Sequence, residues 1–257
     1  MKVKGCGIMS VLLLKIGVGI AYLFMIVMNG LANALPFFGR TTGEVSDAYP
    51  NQLTPSGFAF SIWGVIYIFL GVMVIKILMM DTNTLNGASM RLFVYGFIAS
   101  SVFNGLWLLA WHSLIPWLSL LVMVGLIGSL ILMYLNRPLD VFWLKLPISI
   151  YLGWISVATI LNITILLSTT EFIFKLPESF YFILVLIAGI VLVLLMLLRH
   201  GDVPYALVFF WAYFAIFIRH LGEDNPLLYG TSGVAGVVLL LMTLFTLYTN
   251  GYELYAE

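Results

Sequence analysis

The chain has 257 residues, 63% hydrophobic and 9% charged, with a mean hydropathy of +1.12 and a formal net charge of zero. A soluble domain carries about 25% charged residues to cover its surface, so this composition excludes the soluble class. The zero net charge removes the electrostatic basis for nucleic-acid binding, and the single cysteine, Cys6, excludes an intramolecular disulfide and a cysteine-based metal site.

Apolar runs of about 18 residues or more read as membrane-spanning helices. Eight such runs fall at 9–34, 57–80, 91–112, 115–135, 141–168, 179–198, 203–220 and 229–249. The first follows Lys2 and Lys4 and ends in Ala32-Asn-Ala34, the outline of a cleavable secretory signal. It is longer than a signal core and is interrupted by Asn29 and Asn33, so it is read as a retained helix. The break at 112–115 requires a very tight turn, His112-Ser-Leu-Ile-Pro116. The other connections hold most of the charge and leave no room for a soluble domain: Arg40, Glu44 and Asp47; Asp81; Arg137 to Asp140; Glu171 to Glu178; Arg199 to Asp202; Arg219 to Pro226.

Eight spans place both ends of the chain on one side. That side collects Lys2, Lys4, Lys76, Arg91, Arg137, Lys145 and Arg199, and the other collects Arg40, Lys175 and Arg219. The excess of basic residues marks the cytoplasmic side. Both termini are therefore expected in the cytoplasm, in a cell (inner) membrane, with the 36–55 loop outside. Lys15, in the first turns of the first helix, is expected to snorkel toward the terminal side.

No ionisable residue falls at mid-membrane depth, where such residues serve pumps and proton relays. Nucleophile–base pairs, metal-ligand spacings and phosphate loops are also absent, and no internal repeat of a coupled transporter is evident. The expectation is a non-enzymatic protein with no obligatory cofactor. Its site would work by shape, aromatic surface and neutral hydrogen bonds.

Three aromatic stripes fit that expectation. The second helix carries Phe60, Trp63 and Tyr67 on one face, with Gly57, Gly64 and Gly71 every seven residues to admit a neighbouring helix. The third carries Asn104, Trp107 and Trp111, and the fifth carries Tyr151, Trp154, Ala158 and Asn162. Each stripe alone is equally what interface anchoring or helix–helix hydrogen bonding produces. Together they suit a pocket for a large flat apolar ligand, with indole, amide and phenol groups meeting its polar edge.

These residues also carry a family resemblance. Pro55-Ser-Gly-Phe-Ala-Phe-Ser-Ile-Trp-Gly-Val-Ile-Tyr67 resembles the P-x-G-x-x-F-x-x-x-W-x-x-x-Y segment of the TspO family, the tryptophan-rich sensory or translocator proteins, also called peripheral benzodiazepine receptors. Asn104-Gly-Leu-Trp107 resembles its N-x-x-W element, and Tyr151-Leu-Gly-Trp-Ile-Ser-Val-Ala-Thr-Ile-Leu-Asn162 is similar to its fifth-helix signature. The resemblance covers roughly residues 10–168. It implies a five-helix TspO-like core, here 1–170; the chain departs from it by continuing past the fifth-helix motif into a three-helix extension at 171–257, the whole an all-α polytopic bundle.

The resemblance further implies a receptor or carrier for tetrapyrrole-like (porphyrin or haem-type) or other apolar ligands, gated by loop 36–55. The implied ligand residues are Trp63, Asn104, Trp107, Trp154 and Ala158, with Tyr67 and Asn162 nearby. The partners implied are the lipid bilayer, that ligand and a second copy in a homodimer. Two other readings stay open: a small-molecule permease using all eight helices, and a tryptophan-dependent, light-driven tetrapyrrole-modifying protein. The chain departs from the pattern at Ser56, where the family usually has a second proline, and at Ile150, where several members carry one. Tyr205, Trp211 and Tyr213 in the extension match no motif, and lipid-facing or packing helices are the expectation there.

Overall fold

A computed structural model describes residues 2–35, 37–49, 51–137, 142–169 and 177–250. Asp140, Glu171 and Lys175, counted above among the loop charges, lie outside the described residues, as do Pro36 and Pro50 of the 36–55 loop. The helices are α1 (Lys2–Ala34), α2 (Thr42–Asp47), α3 (Ile62–Met79), α4 (Thr82–Asn86), α5 (Ala88–His112), α6 (Pro116–Asn136), α7 (Phe142–Thr169), α8 (Glu178–His200), α9 (Val203–His220) and α10 (Pro226–Asn250). Among the described residues, eight helical stretches are long and apolar enough to span a membrane, and they coincide with the eight runs within a few residues. The protein is thus a polytopic integral membrane helical bundle. Two short 3-10 turns, Phe37–Gly39 and Gly57–Ser61, flank α2, so the 36–55 connection is more ordered than a plain loop.

The chain packs as two compact units, Met1–Thr42 with Trp63–Leu152, and Gly43–Ile62 with Gly153–Glu257. This is a grouping by packing, whereas the 1–170 and 171–257 division is one of sequence pattern. In the first unit α5 and α6 form a hairpin. Ser113 and Leu114 close it, Leu114 in the left-handed region at φ 56°, and Pro116 opens α6 where a missing N–H costs nothing. Gly96 lets the two helices touch: a Cβ there would lie 2.6 Å from Met133 Cγ and 3.1 Å from the Ser129 carbonyl. α1 rests on α5 in the same way, with the Phe24 ring over Gly105. Lys15 donates to the Met80 carbonyl at 2.7 Å, just past the end of α3.

The glycine heptad of the second span divides. Gly71 does admit a neighbour, because a Cβ there would meet the Tyr22 hydroxyl at 2.6 Å, and that hydroxyl donates to the Tyr67 carbonyl at 3.0 Å. Gly57 and Gly64 have nothing within 4 Å of an added Cβ, so the expectation of a helix packed along all three is corrected. Seven-residue spacing marks one face of a helix but does not say what lies opposite.

In the second unit Gly153 sets a close crossing of α7 and α9; a Cβ there would be 3.1 Å from Val208 Cβ and 3.2 Å from the Tyr205 carbonyl. α8 ends in a left-handed Gly201 at φ 58°, whose N–H returns to the Leu197 carbonyl at 2.9 Å. Asp202 then caps α9 by accepting from the Tyr205 N–H at 3.1 Å. The Tyr213 hydroxyl donates to the Leu186 carbonyl at 2.8 Å, joining α9 to α8. Tyr205 and Tyr213 are therefore buried packing residues.

Gly96→Ala forces a methyl against Met133 and the Ser129 carbonyl and is expected to cost about 1–3 kcal/mol. Gly64→Ala, in open space, is expected to change stability by less than about 0.5 kcal/mol. Melting temperatures of the two variants in one detergent distinguish them.

Candidate functional site

The polar centre of the first unit is a chain of three side chains from three helices. Asn29 on α1 donates to its own Met25 carbonyl at 2.8 Å and to Asn104 Oδ1 at 2.6 Å. Asn104, fully buried on α5, donates in turn to the Tyr151 hydroxyl on α7 at 3.1 Å. In an apolar medium a neutral amide must find partners, and this relay supplies them. It also fixes the α5 face that carries Trp107 and Trp111.

Aromatic rings close around that chain. Trp63 stacks on Tyr67 with centroids 5.4 Å apart, tilts against Trp107 at 6.3 Å, and meets Tyr151 edge-on at 6.0 Å. Trp107 stacks on Trp111 at 5.6 Å. Two polar groups here lack hydrogen-bond partners although both are buried: Trp107 Nε1 and the Tyr67 hydroxyl. The latter lies near Asn104 without a bond of ordinary geometry.

Of the seven expected ligand residues, Trp63, Tyr67, Asn104 and Trp107 thus come together in the first unit. Trp154, Ala158 and Asn162 belong to the second. There Trp154 is buried and takes the edge of Phe60 at 6.1 Å. Asn162 donates to the Ala158 carbonyl at 2.8 Å, within its own helix. Among the described residues no group of three His, Cys, Asp or Glu gathers to hold a metal.

The connection between α1 and α3 is fastened along its length. In the first unit Trp111 Nε1 donates to the Thr42 carbonyl at 3.1 Å, and Phe37 meets His112 edge-on at 5.7 Å. In the second unit α9 holds the rest. Trp211 Nε1 donates to the Ala59 carbonyl at 3.0 Å. The Ser56 N–H donates to the Ala215 carbonyl at 3.1 Å. Arg219 pairs with Asp47 at 2.9 Å, and His220 Nε2 lies 2.7 Å from the Gln52 carbonyl. Residues 211, 215 and 219 share one face of α9 by their spacing of four. Asn51 adds a bond to Thr164 on α7 at 3.1 Å.

Sequence reasoning missed this strap and the part played by Asn29. Asn29 was visible as an amide inside an apolar run. Trp211, Arg219 and His220 had no motif, since each serves a main-chain or loop partner more than 150 residues away.

Ser56 explains one departure from the family pattern. A proline at 56 would suit the local φ of −57° but would have no N–H for Ala215. Ser56→Pro is therefore expected to speed amide hydrogen exchange across residues 51–59 by up to about tenfold, the worth of one hydrogen bond. Ser56→Ala, which keeps the N–H, should leave it unchanged.

No curated protein and no solved structure matches the chain. A family model described as TSPO-like protein matches residues 15–245. The match does not stop at the α7 motif but runs on through α8 and α9 and most of α10. The aromatic stripes, the spans and this match agree: the chain belongs to the TSPO-like protein family.

Proposed function

We propose that the protein is a membrane receptor or carrier that binds a flat apolar ligand of tetrapyrrole type against the Trp63–Trp107–Tyr151 cluster, without covalent chemistry. The observation that carries this reading is the pair of buried, unpartnered groups in that cluster, Trp107 Nε1 and the Tyr67 hydroxyl. Leaving such a group unpaired costs about 1–3 kcal/mol. A ligand with polar atoms at its edge would relieve that cost, while its flat face stacks on indole. The satisfied Asn29–Asn104–Tyr151 chain holds the rings in place. We assign the protein to a cell (inner) membrane with both termini cytoplasmic, supported by the even number of spans and the basic bias of one set of loops.

The strap from α9 favours one further reading, a permease in which the last helices take part in transport. Deleting residues 171–257 and measuring substrate flux in proteoliposomes separates the two: loss of flux with ligand binding intact supports the permease.

A porphyrin titrated into the protein in nanodiscs is expected to quench tryptophan fluorescence saturably. Trp107→Phe, which removes the unpartnered N–H and keeps a ring, should weaken binding by about tenfold. Trp63→Ala with Asn104→Ala should weaken it further. Unchanged affinity in both variants would sink the assignment of this cluster.

A further inference from the structure

The second unit contains a cavity of about 430 Å³ that the tetrapyrrole reading does not use. Small-molecule sites have volumes of this order. One wall is the end of α7, with Ile163 and Leu167; the opposite wall is the start of α8, with Phe182 and Val185. Residues 51–53 of the strap form the third side.

Several polar groups around the cavity present acceptors, among them the buried Gln52 Oε1, which has no hydrogen-bond partner; the Gln52 amide and the Tyr181 hydroxyl also carry hydrogens. Thr164 Oγ1 gives its hydrogen to the Leu161 carbonyl and accepts from Asn51. Ser168 Oγ gives its hydrogen to the Ile165 carbonyl, which leaves its lone pairs. The Glu178 carboxylate, at the first residue of α8, can only accept when ionised. A molecule with an apolar body and a head that donates hydrogen bonds matches both features.

The strap side of the cavity is held by His220. Its Nε2 lies 2.7 Å from the Gln52 carbonyl and its Nδ1 lies 2.8 Å from Glu223 Oε2. Both partners are acceptors, and a neutral imidazole carries a single N–H. Both bonds form together only when His220 is an imidazolium. The His220 side chain is 7% exposed, and its ring takes an edge contact from Phe182, itself a cavity wall. The Glu223 side chain is 48% exposed. The surrounding elements carry further titratable groups: Glu44, Asp47 and Tyr49 in the strap; Glu178, Tyr181, Arg199 and His200 on α8; Tyr205, Tyr213 and Arg219, the last paired with Asp47, on α9; Asp224 after it; and Tyr229 and Tyr248 on α10.

We propose that this cavity is a second ligand site, for a long-chain apolar molecule with a hydrogen-bond-donating head, and that protonated His220 is the latch that holds its strap side in shape. The sign follows from the two bonds. A neutral imidazole has an N–H for only one of them, so the latched state, and binding with it, is favoured when His220 carries its second proton.

The test is photolabelling of the full chain in phosphatidylcholine nanodiscs with a diazirine-bearing long-chain primary alcohol. Saturable labelling of peptides 160–168 and 178–185 is expected, competed by dodecanol but not by dodecane, and abolished by Ile163→Trp. The apparent affinity should be higher in acid than in alkaline buffer by up to about tenfold, and His220→Gln, which keeps one donor, should bind weakly and without pH dependence. Non-saturating labelling, equal competition by dodecane, or unchanged labelling of Ile163→Trp overturns the site. Saturable labelling of the unaltered protein with a flat pH profile overturns the latch. Trp107→Phe should leave this labelling intact, so this site and the tetrapyrrole cluster fail or stand separately.

Discussion

A chain within a bilayer has to pair its own backbone, because lipid offers no hydrogen bonds. Long helices meet that demand internally. The connection from α2 to the 3-10 turn that opens the second span lies outside the spans and is largely irregular, so its order comes from partners elsewhere. α9 completes it from outside. An indole N–H, a helix carbonyl, a guanidinium and an imidazole, all on that one helix, reach Ala59, Ser56, Asp47 and Gln52. The strap therefore depends on a helix that follows it by about 150 residues, and α9 has a role beyond filling the bilayer.

The same constraint separates the satisfied from the unsatisfied side chains in the first unit. Asn29, Asn104 and Tyr151 pair with one another, and their mutual polarisation in a low-dielectric setting makes the set rigid. Nearby, Trp107 Nε1 has no hydrogen-bond partner, and the Tyr67 hydroxyl lies by Asn104 without a bond of ordinary geometry. Such groups beside a fully paired chain are what the proposed ligand site rests on. The contrast between the two sets directs the functional reading to this cluster.

Ser56 shows how a small change of sequence and a remote helix answer each other. Its backbone conformation is one that proline would accept, so the local geometry alone gives no reason for a different residue. The reason appears at Ala215, which takes the N–H that proline lacks. His220 is a parallel case: one ring nitrogen meets Glu223 three residues on, but the other meets the Gln52 carbonyl, 168 positions away.

By itself the sequence determined the class, the eight spans and the faces that bear tryptophan and asparagine, because hydropathy and helical periodicity are properties of neighbours along the chain. It also carried the family motifs, whose residues lie close enough together to be read as patterns. What faces each stripe was decided only by tertiary structure. Gly71 has a tyrosine opposite it and Gly64 has open space, although their sequence signal is the same. Asn29 became the partner of Asn104, and Trp211 and His220 became holders of a distant strap, through contacts across 75 to 168 positions. No local pattern encodes such pairings, since they are set by how whole helices pack.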